Sequence, residues 1–110
     1  MADREKLSVL GDSEVEAALA QDDAPRWHLI GGQLVKTVTC AGFGGSLEFV
    51  GEVGRLAEEA DHHPDIDIRY DRVTLALVTH DAGGITRFDL DLARAIDRVN
   101  VGVRPDPAGF

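Results

Sequence analysis

Apolar residues recur with two different periods along this chain, and the change of period separates helices from strands. In residues 43–60 they recur every three or four positions, the period of an amphipathic helix. In residues 73–80 the large apolar side chains Val73, Leu75 and Leu77 stand at every second position, which is typical of a half-buried strand. The second half of the chain therefore contains at least one helix and one strand.

Two more helices are indicated by capping signals. Ser13 precedes Glu16 by three residues, a capping-box pattern that predicts a first helix near residues 13–21. Thr86 can cap a last helix over residues 87–99, with Asp89 at its third position.

Two hairpins are expected, each built from two β-rich runs around a turn. The first joins residues 26–30 to 33–40 through a glycine pair. The second joins residues 66–70 to 73–80 across Asp71 and Arg72. Pro64 ends the preceding helix, because the residue before a proline is pushed out of the α region.

The helix over residues 43–60 contains an unusual number of glycines. Each interior glycine, such as Gly45, Gly51 or Gly54, costs up to about 1 kcal/mol relative to alanine. Packing must therefore hold this helix, and we expect another backbone to pass close to it at these positions.

The predicted order α-β-β-α-β-β-α favours an α+β fold with a four-stranded antiparallel sheet and its helices on one face. We expect a single domain over residues 1–100 and, because of two prolines, a flexible tail over residues 101–110. Such a sheet has edges that need protection, which predicts a homodimer or a homotetramer.

Composition narrows the possible functions. The 110 residues are 44% hydrophobic and 28% charged, and no apolar run approaches the roughly 20 residues of a membrane helix. The charged N-terminal stretch lacks the pattern of a secretory signal, so a cytoplasmic location is expected. A net charge of −9 repels phosphate backbones, which argues against direct nucleic-acid binding. The lone Cys40 excludes an internal disulfide and thiolate-rich metal sites.

Three of the four histidines, His62, His63 and His80, stand at predicted element ends. Glu58 lies four residues before His62, so the two side chains are expected to share a helix face. A carboxylate at Asp89, in the first turn of the last helix, is in a position to orient His80 unless it caps the helix. His28 is interpreted as an ordinary strand residue.

Three interpretations of these histidines compete. Each can be an incidental surface residue. Two histidines with carboxylates can bind zinc or iron, although adjacent histidines rarely point at one ion. The third interpretation is proton transfer without a metal, for which imidazole suits because its ordinary pKa of about 6.5 lets it give or take a proton near neutrality. With no nucleophile nearby, the third interpretation indicates elimination, hydration or isomerisation.

The spacing of uncommon residue types points to one family. The order is Glu58, three residues, His62-His63-Pro64, five residues, Tyr70, nine residues, His80, eight residues and Asp89. This pattern resembles the signature of the pterin-4a-carbinolamine dehydratases, and the likeness extends from about Ser13 to Val99.

The resemblance implies dehydration of a 4a-hydroxytetrahydropterin, such as 4a-hydroxytetrahydrobiopterin, to the quinonoid dihydropterin. That reaction belongs to the recycling of tetrahydrobiopterin after an aromatic amino-acid hydroxylase. It needs neither a cofactor nor a metal. The family also contains dimerisation partners of a transcription factor and assembly factors of a carboxylating enzyme, so a non-catalytic role is the alternative.

The same resemblance assigns roles to residues. It implies that His62, His63 and His80 are catalytic, with His62 and His80 as acids beside the departing hydroxyl and His63 as the base. Asp89 would orient His80, and Glu58 would be a supporting acid. The substrate-binding residues implied are Asp61, His62, His63, Thr79 and His80.

Overall fold

Within residues 8–21 and 27–105, the part of the chain that this computed structural model describes, three α-helices and four strands follow the order α-β-β-α-β-β-α. The helices are α1 (Asp12–Ala20), α2 (Gly42–Ala60) and α3 (Arg87–Asp97), and the strands are β1 (His28–Ile30), β2 (Gln33–Thr39), β3 (Asp65–Arg69) and β4 (Arg72–Leu77). The predicted α+β class and element order are confirmed.

The two hairpins lie side by side in one antiparallel sheet of order β1-β2-β4-β3. Leu34 is opposite Leu77 in the register of β2 and β4, and both are fully buried on the face that the helices cover. Three positions further along β2, Thr37 is opposite Thr74 on the other face of the sheet, where the two hydroxyls hydrogen-bond at 2.9 Å. The alternation of apolar and polar positions thus gives the sheet an apolar face, which the helices cover, and a polar face on the other side.

The first helix starts differently from its predicted start. It begins at Asp12, and the backbone N–H of Gly11 donates to the Glu14 carboxylate at 2.8 Å. The capping box expected from Ser13 and Glu16 is therefore wrong. A carboxylate two residues earlier satisfies the exposed N-terminal donor equally well.

The predicted cap of the last helix is confirmed. Thr86 Oγ1 accepts a hydrogen bond from the Phe88 N–H at 3.2 Å, and the Asp89 carboxylate accepts one from the Thr86 N–H at 2.9 Å. This reciprocal pattern fixes the start of α3, and so the position of Asp89, by local sequence alone.

The second hairpin turns one residue earlier than predicted. Arg69 pairs with Arg72, so the turn consists of Tyr70 and Asp71. Tyr70 has a positive φ of 54°, which is uncommon for a residue other than glycine. The hydroxyl of Ser46 in α2 donates to the Tyr70 carbonyl at 2.5 Å, and this contact holds the turn against α2.

Only one of the α2 glycines highlighted from the sequence meets another backbone. A Cβ built on Gly45 would lie 2.6 Å from the carbonyl oxygen of Gly102, whereas one built on Gly51 or Gly54 would meet nothing within 4 Å. The prediction of a close backbone approach is confirmed at Gly45 and wrong at the other two.

Residues 101–105 begin the segment that we expected to be a flexible tail, but they are held against the sheet. Val103 forms a β-bridge with Cys40, the Arg104 N–H donates to the Thr39 carbonyl at 3.1 Å, and the Gly102 carbonyl accepts from Ala41 at 2.8 Å. The flexible-tail expectation is thus wrong for these residues. Residues 106–110 lie outside the described part of the chain.

None of the helices in the described part of the chain combines the length and the apolar character needed to cross a membrane.

Candidate active site

The end of α2 directs the two adjacent histidines to different places. Asp61 caps the helix in the left-handed conformation, with φ 49° and ψ 44°, and the His62 N–H closes the last turn onto the Ala57 carbonyl at 3.0 Å. This reversal sends one imidazole inward and the next outward. The side chain of His62 is 4% exposed and that of His63 is 56% exposed.

His62 is held by a buried carboxylate on α3. Its Nε2 lies 2.5 Å from Oδ1 of Asp89, whose side chain is completely buried. The ring centre of Phe88 lies 6.0 Å from that of His62. We expected Asp89 to orient His80, and that pairing is wrong. The packing of α3 against α2 brings Asp89 to the imidazole at the end of α2, a tertiary contact that distance along the chain does not reveal.

Glu58 is paired with His63, and the contacts between described residues include none between Glu58 and His62. Glu58 Oε2 lies 2.5 Å from His63 Nε2, and both side chains are largely exposed. The helical spacing of four residues fails here because α2 ends at Ala60 and the left-handed Asp61 rotates the following residues away from the helix face.

His80 begins a single 3₁₀ turn, His80–Ala82, and does not extend β4 as predicted. The turn is closed by Thr79, whose N–H donates to the Gly84 carbonyl at 3.0 Å and whose carbonyl accepts from Gly83 at 3.0 Å. The Thr79 N–H is therefore committed within the loop. The exposed His80 side chain stands at the mouth of this loop.

The three histidines line one small pocket. Its volume is about 170 Å³, and its lining residues are His62, His63, Val78, Thr79, His80 and Asp81. The volume is below the roughly 300–1,000 Å³ of sites that enclose drug-sized ligands, so the pocket alone does not enclose a ligand of that size. Asp61, an expected substrate-binding residue, is exposed and does not line the pocket.

Sequence reasoning did not identify Val78 and Asp81 as part of this pocket. Their positions on either side of Thr79 and His80 were the available signal, because a turn that follows a strand presents consecutive residues to one cleft. Asp81 adds a carboxylate to a pocket otherwise dominated by imidazoles.

A larger cavity lies elsewhere, but it contains no histidine. Its volume is about 650 Å³, and it lies among β2, the end of α3 and residues 103–105, with Thr37, Phe49 and Arg72 in its lining. Chemistry outweighs size in choosing the candidate site, because proton transfer requires titratable groups that converge. The larger cavity is also lined by ionisable residues, Lys36, Asp71 and Asp97 among them. The histidine pocket is the smaller of the two and the one in which imidazoles, the groups suited to proton transfer near neutrality, converge.

Metal ligation and the single cysteine both bear on the chemistry of the site. In residues 8–21 and 27–105, no three or more His, Cys, Asp or Glu side chains converge as metal ligands. Burial raises the pKa of the Cys40 thiol, and Cys40 packs in the core between β2 and α2. As expected from the sequence, Cys40 behaves as a small apolar residue.

Comparison with known proteins connects this pocket to a family. The model of the family described as pterin 4 alpha carbinolamine dehydratase matches residues 8–99. The chain belongs to this family. The match spans the pocket, and the resemblance found in the sequence is thereby confirmed.

Relatives from several bacteria share about half of their residues with this family member. A protein of Chloroflexus aurantiacus is 51% identical over 82% of this chain and 95% of its own. One from Herpetosiphon aurantiacus is 46% identical over 84% of this chain and 95% of its own. Both carry the provisional name pterin-4-alpha-carbinolamine dehydratase.

Two solved structures share the fold of this pterin dehydratase family member. A protein of Brucella melitensis described as a transcriptional coactivator/pterin dehydratase has a TM-score of 0.75 and 28% identity, over 82% of this chain and 96% of that one. A pterin dehydratase-like RuBisCO assembly factor of the alpha-carboxysome has a TM-score of 0.53 and 20% identity, over 66% and 83%. The second likeness demonstrates a common fold alone.

Proposed function

We propose that the protein is a hydro-lyase that converts 4a-hydroxytetrahydropterins, such as 4a-hydroxytetrahydrobiopterin, to quinonoid dihydropterin and water. Histidine side chains carry out the acid/base catalysis without a metal ion or cofactor. The observation that supports this proposal is the convergence of His62, His63 and His80 on one pocket in a chain that belongs to the pterin dehydratase family.

The reaction needs one proton donor and one proton acceptor, which act at two adjacent atoms of the substrate, C4a and N5. The C4a–O bond breaks, and an acid protonates the departing hydroxyl so that it leaves as water. A base removes the N5 proton, and the electrons of the N5–H bond form the N5=C4a double bond. No electrons are exchanged with the protein. General acid and base groups each typically accelerate such a transfer by about 10² to 10⁴-fold.

His62 is the first proposed acid. Its ring is buried, and its Nε2 is held at 2.5 Å from the Asp89 carboxylate. The carboxylate lies where it offsets the positive charge of a protonated imidazole. His62 is therefore suited to hold a proton in a fixed position until the hydroxyl departs.

His80 is the second proposed acid. It stands on the 3₁₀ turn at the pocket mouth, and within the described residues no other side chain hydrogen-bonds its ring. Its exposure allows it to exchange protons with solvent after each turnover. Together with His62 it would bracket the departing oxygen.

His63 is the proposed base. The Glu58 carboxylate accepts a hydrogen bond from one nitrogen of His63, and the other is then available to accept the N5 proton. The two side chains are 56% and 78% exposed, so this pair contributes little to stability. We interpret Glu58 as a supporting group that orients the base.

Substrate binding is proposed at the loop from Thr79 to Asp81 and at the Asp61 turn. The pterin's amide and amino edge would lie against this loop, while the N5 and C4a atoms face the imidazoles. Because the Thr79 N–H is already used by Gly84, the Thr79 backbone is not the donor in this proposal.

The experiment that tests the proposed function is an ultraviolet stopped-flow assay of 4a-hydroxytetrahydropterin generated by a hydroxylase. We expect the protein to accelerate dehydration over the spontaneous rate, equally with and without EDTA. Loss of activity in EDTA that zinc or iron restores would contradict the metal-free mechanism, and no acceleration at all would contradict the function.

We also propose a homo-oligomer, either a dimer or a tetramer. We call Phe43 and Leu47 of α2, with Ile66, Ile68 and Tyr70 of the neighbouring β3 hairpin, the α2–β3 surface. These side chains are 37–69% exposed, and β3 is an edge strand of the sheet. Exposed apolar side chains beside an open sheet edge favour association with another copy.

The same surface favours the second candidate function, a binding or assembly factor. One structural neighbour is described as a transcriptional coactivator/pterin dehydratase, and the α2–β3 surface offers apolar area for a protein partner. A pull-down from cells that lack a pterin-dependent hydroxylase tests this role. Recovery of a stoichiometric partner there would rank it above catalysis.

A further inference from the structure

The buried Asp89 ends a line of hydroxyl groups that the proposed mechanism does not use. The Thr79 hydroxyl donates to Asp89 Oδ2 at 2.7 Å, and the Thr79 and Thr86 hydroxyl oxygens are 2.8 Å apart. All three residues are at most 1% exposed. Fully buried polar groups of this kind are costly unless every donor has an acceptor.

The protons in this network can be placed by counting donors. An ionised carboxylate only accepts, so Thr79 spends its single hydroxyl proton on Asp89. Thr79 must then accept from Thr86 in their mutual bond. Thr86 in turn accepts from the Phe88 N–H, which begins α3. With Asp89 ionised, the chain of donation therefore runs from the Phe88 N–H through the Thr86 and Thr79 hydroxyls to Asp89.

The direction of this chain determines the state of His62. Asp89 Oδ2 is occupied by the Thr79 hydroxyl and the Thr86 N–H, so the carboxylate cannot rotate without losing both bonds. Oδ1 is left as an acceptor for His62, which must carry a proton on Nε2 to bond it. We propose that Thr79 and Thr86 are positioning residues that keep the Nε2–H of His62 directed at Asp89 in both the neutral and the protonated ring. Nδ1 is then the nitrogen that takes up the acid proton and gives it to the departing hydroxyl.

The test compares variants that remove a hydroxyl without changing side-chain shape. These are Thr79→Val, Thr86→Val and the double variant. Thr79→Ser and Thr86→Ser, which keep the hydroxyl, are the conservative counterparts. Thr74→Val is the matched control, because Thr74 shares the same kind of hydroxyl pair with Thr37 on the opposite face of the sheet. Thr86→Val also weakens the cap of α3, whereas Thr79→Val leaves it intact. All measurements are made where circular dichroism shows a folded protein.

The first measurement is the ¹⁵N spectrum of the histidine rings, which distinguishes protonated from unprotonated nitrogens. Single His→Gln variants assign the signals. We expect one His62 tautomer, Nε2–H, in the wild type, in Thr74→Val and in both serine variants, and a mixture of tautomers in Thr79→Val. An unchanged His62 spectrum in folded Thr79→Val would overturn the proposal, as would a wild-type tautomer with its proton on Nδ1.

The second measurement is kinetic and rests on the proposed dehydratase function. We expect kcat to fall about tenfold in Thr79→Val, because the loss of one hydrogen bond corresponds to a factor of about ten in rate. KM should change little. The double variant should be no slower than Thr79→Val, because Thr86 acts through Thr79. Additive losses would contradict the chain. An inactive wild type would reject the dehydratase function. The ¹⁵N spectrum of His62 would then still show whether Thr79 and Thr86 fix its tautomer, because that measurement does not depend on activity.

Discussion

His62 and His63 are sequence neighbours, yet they have separate environments. The left-handed conformation of Asp61 places His62 among buried groups of α3 and leaves His63 in water beside Glu58. Adjacent residues that point apart cannot easily chelate one ion, and they can perform different proton transfers on one substrate. This difference in environment is the reason why the proposed mechanism gives His62 and His63 different roles.

Replacing His63 by alanine should slow turnover by at least tenfold, because the proposed base is lost. The fold should be unaffected, since the His63 side chain is 56% exposed. Stopped-flow kinetics measures the first effect and circular dichroism the second. His28→Ala, a change at another exposed histidine, is the control and should retain full activity. Unchanged kinetics of His63→Ala would reject its role as base.

Asp89→Asn should destabilise the fold as well as lower activity. An amide has only one oxygen, so its NH2 group would face either the Thr79 hydroxyl and the Thr86 N–H or the Nε2–H of His62, all of which donate. A buried mismatch of this kind costs about 1–3 kcal/mol. Asp91→Asn changes an exposed carboxylate on the same helix and should stay within about 0.5 kcal/mol of wild type. Urea denaturation gives both values. Equal effects of the two substitutions would contradict the network.

Residue types at the site could be predicted from the sequence, whereas their pairing could not. The identities of His62, His63 and His80 follow from their positions at element ends. That Asp89 holds His62 depends on the packing of α3 against α2. Helical spacing also assigned Glu58 to the wrong histidine, because the spacing rule does not include the left-handed residue that ends the helix.

At the scale of elements, α2 illustrates how one residue type serves different purposes. Gly45 is the point where the Gly102 backbone crosses the helix, and Gly102 itself has a positive φ of 76°. Gly51 is exposed and meets no neighbouring atom. The sequence shows equal glycines, and only the tertiary contact distinguishes them.

The two glycines should therefore respond oppositely to alanine. Gly45→Ala forces a methyl group against a backbone carbonyl and should destabilise the protein by about 1–3 kcal/mol. Gly51→Ala removes the conformational cost of an interior helical glycine and should stabilise it by up to about 1 kcal/mol. Thermal unfolding measures both changes. A stabilising Gly45→Ala would mean that the 101–105 segment does not cross α2 as described.

Element types were predictable because each rests on local physics. Periodicity, β-rich runs around turns, capping signals and Pro64 together predicted all seven helices and strands. The cap of α3 was correct in detail, whereas that of α1 was wrong. Boundaries failed where tertiary contacts intervene. Tyr70 turns early because Ser46 holds its carbonyl, and residues 101–105 are ordered because Cys40 and Thr39 offer them a bridge.

At the scale of the whole molecule, the α2–β3 surface predicts association. Leu47→Glu should lower the mass measured by light scattering at micromolar concentration, because a charge would be buried in the interface. Ile30→Glu is the control, since Ile30 is also exposed, at 57%, but lies on the opposite edge of the sheet. A wild-type mass of one chain would contradict the homo-oligomer. Equal oligomeric masses of wild type and Leu47→Glu would show that the interface does not include Leu47.

The most direct test of the account is the rate of 4a-hydroxytetrahydropterin dehydration followed by stopped-flow absorbance. The wild type is compared with one variant in which His62, His63 and His80 are all changed to glutamine, with folding verified by circular dichroism. We predict acceleration by the wild type and a return to the spontaneous rate in the folded variant. A folded variant that retains the wild-type rate would contradict the claim that the three imidazoles of this pocket catalyse the reaction.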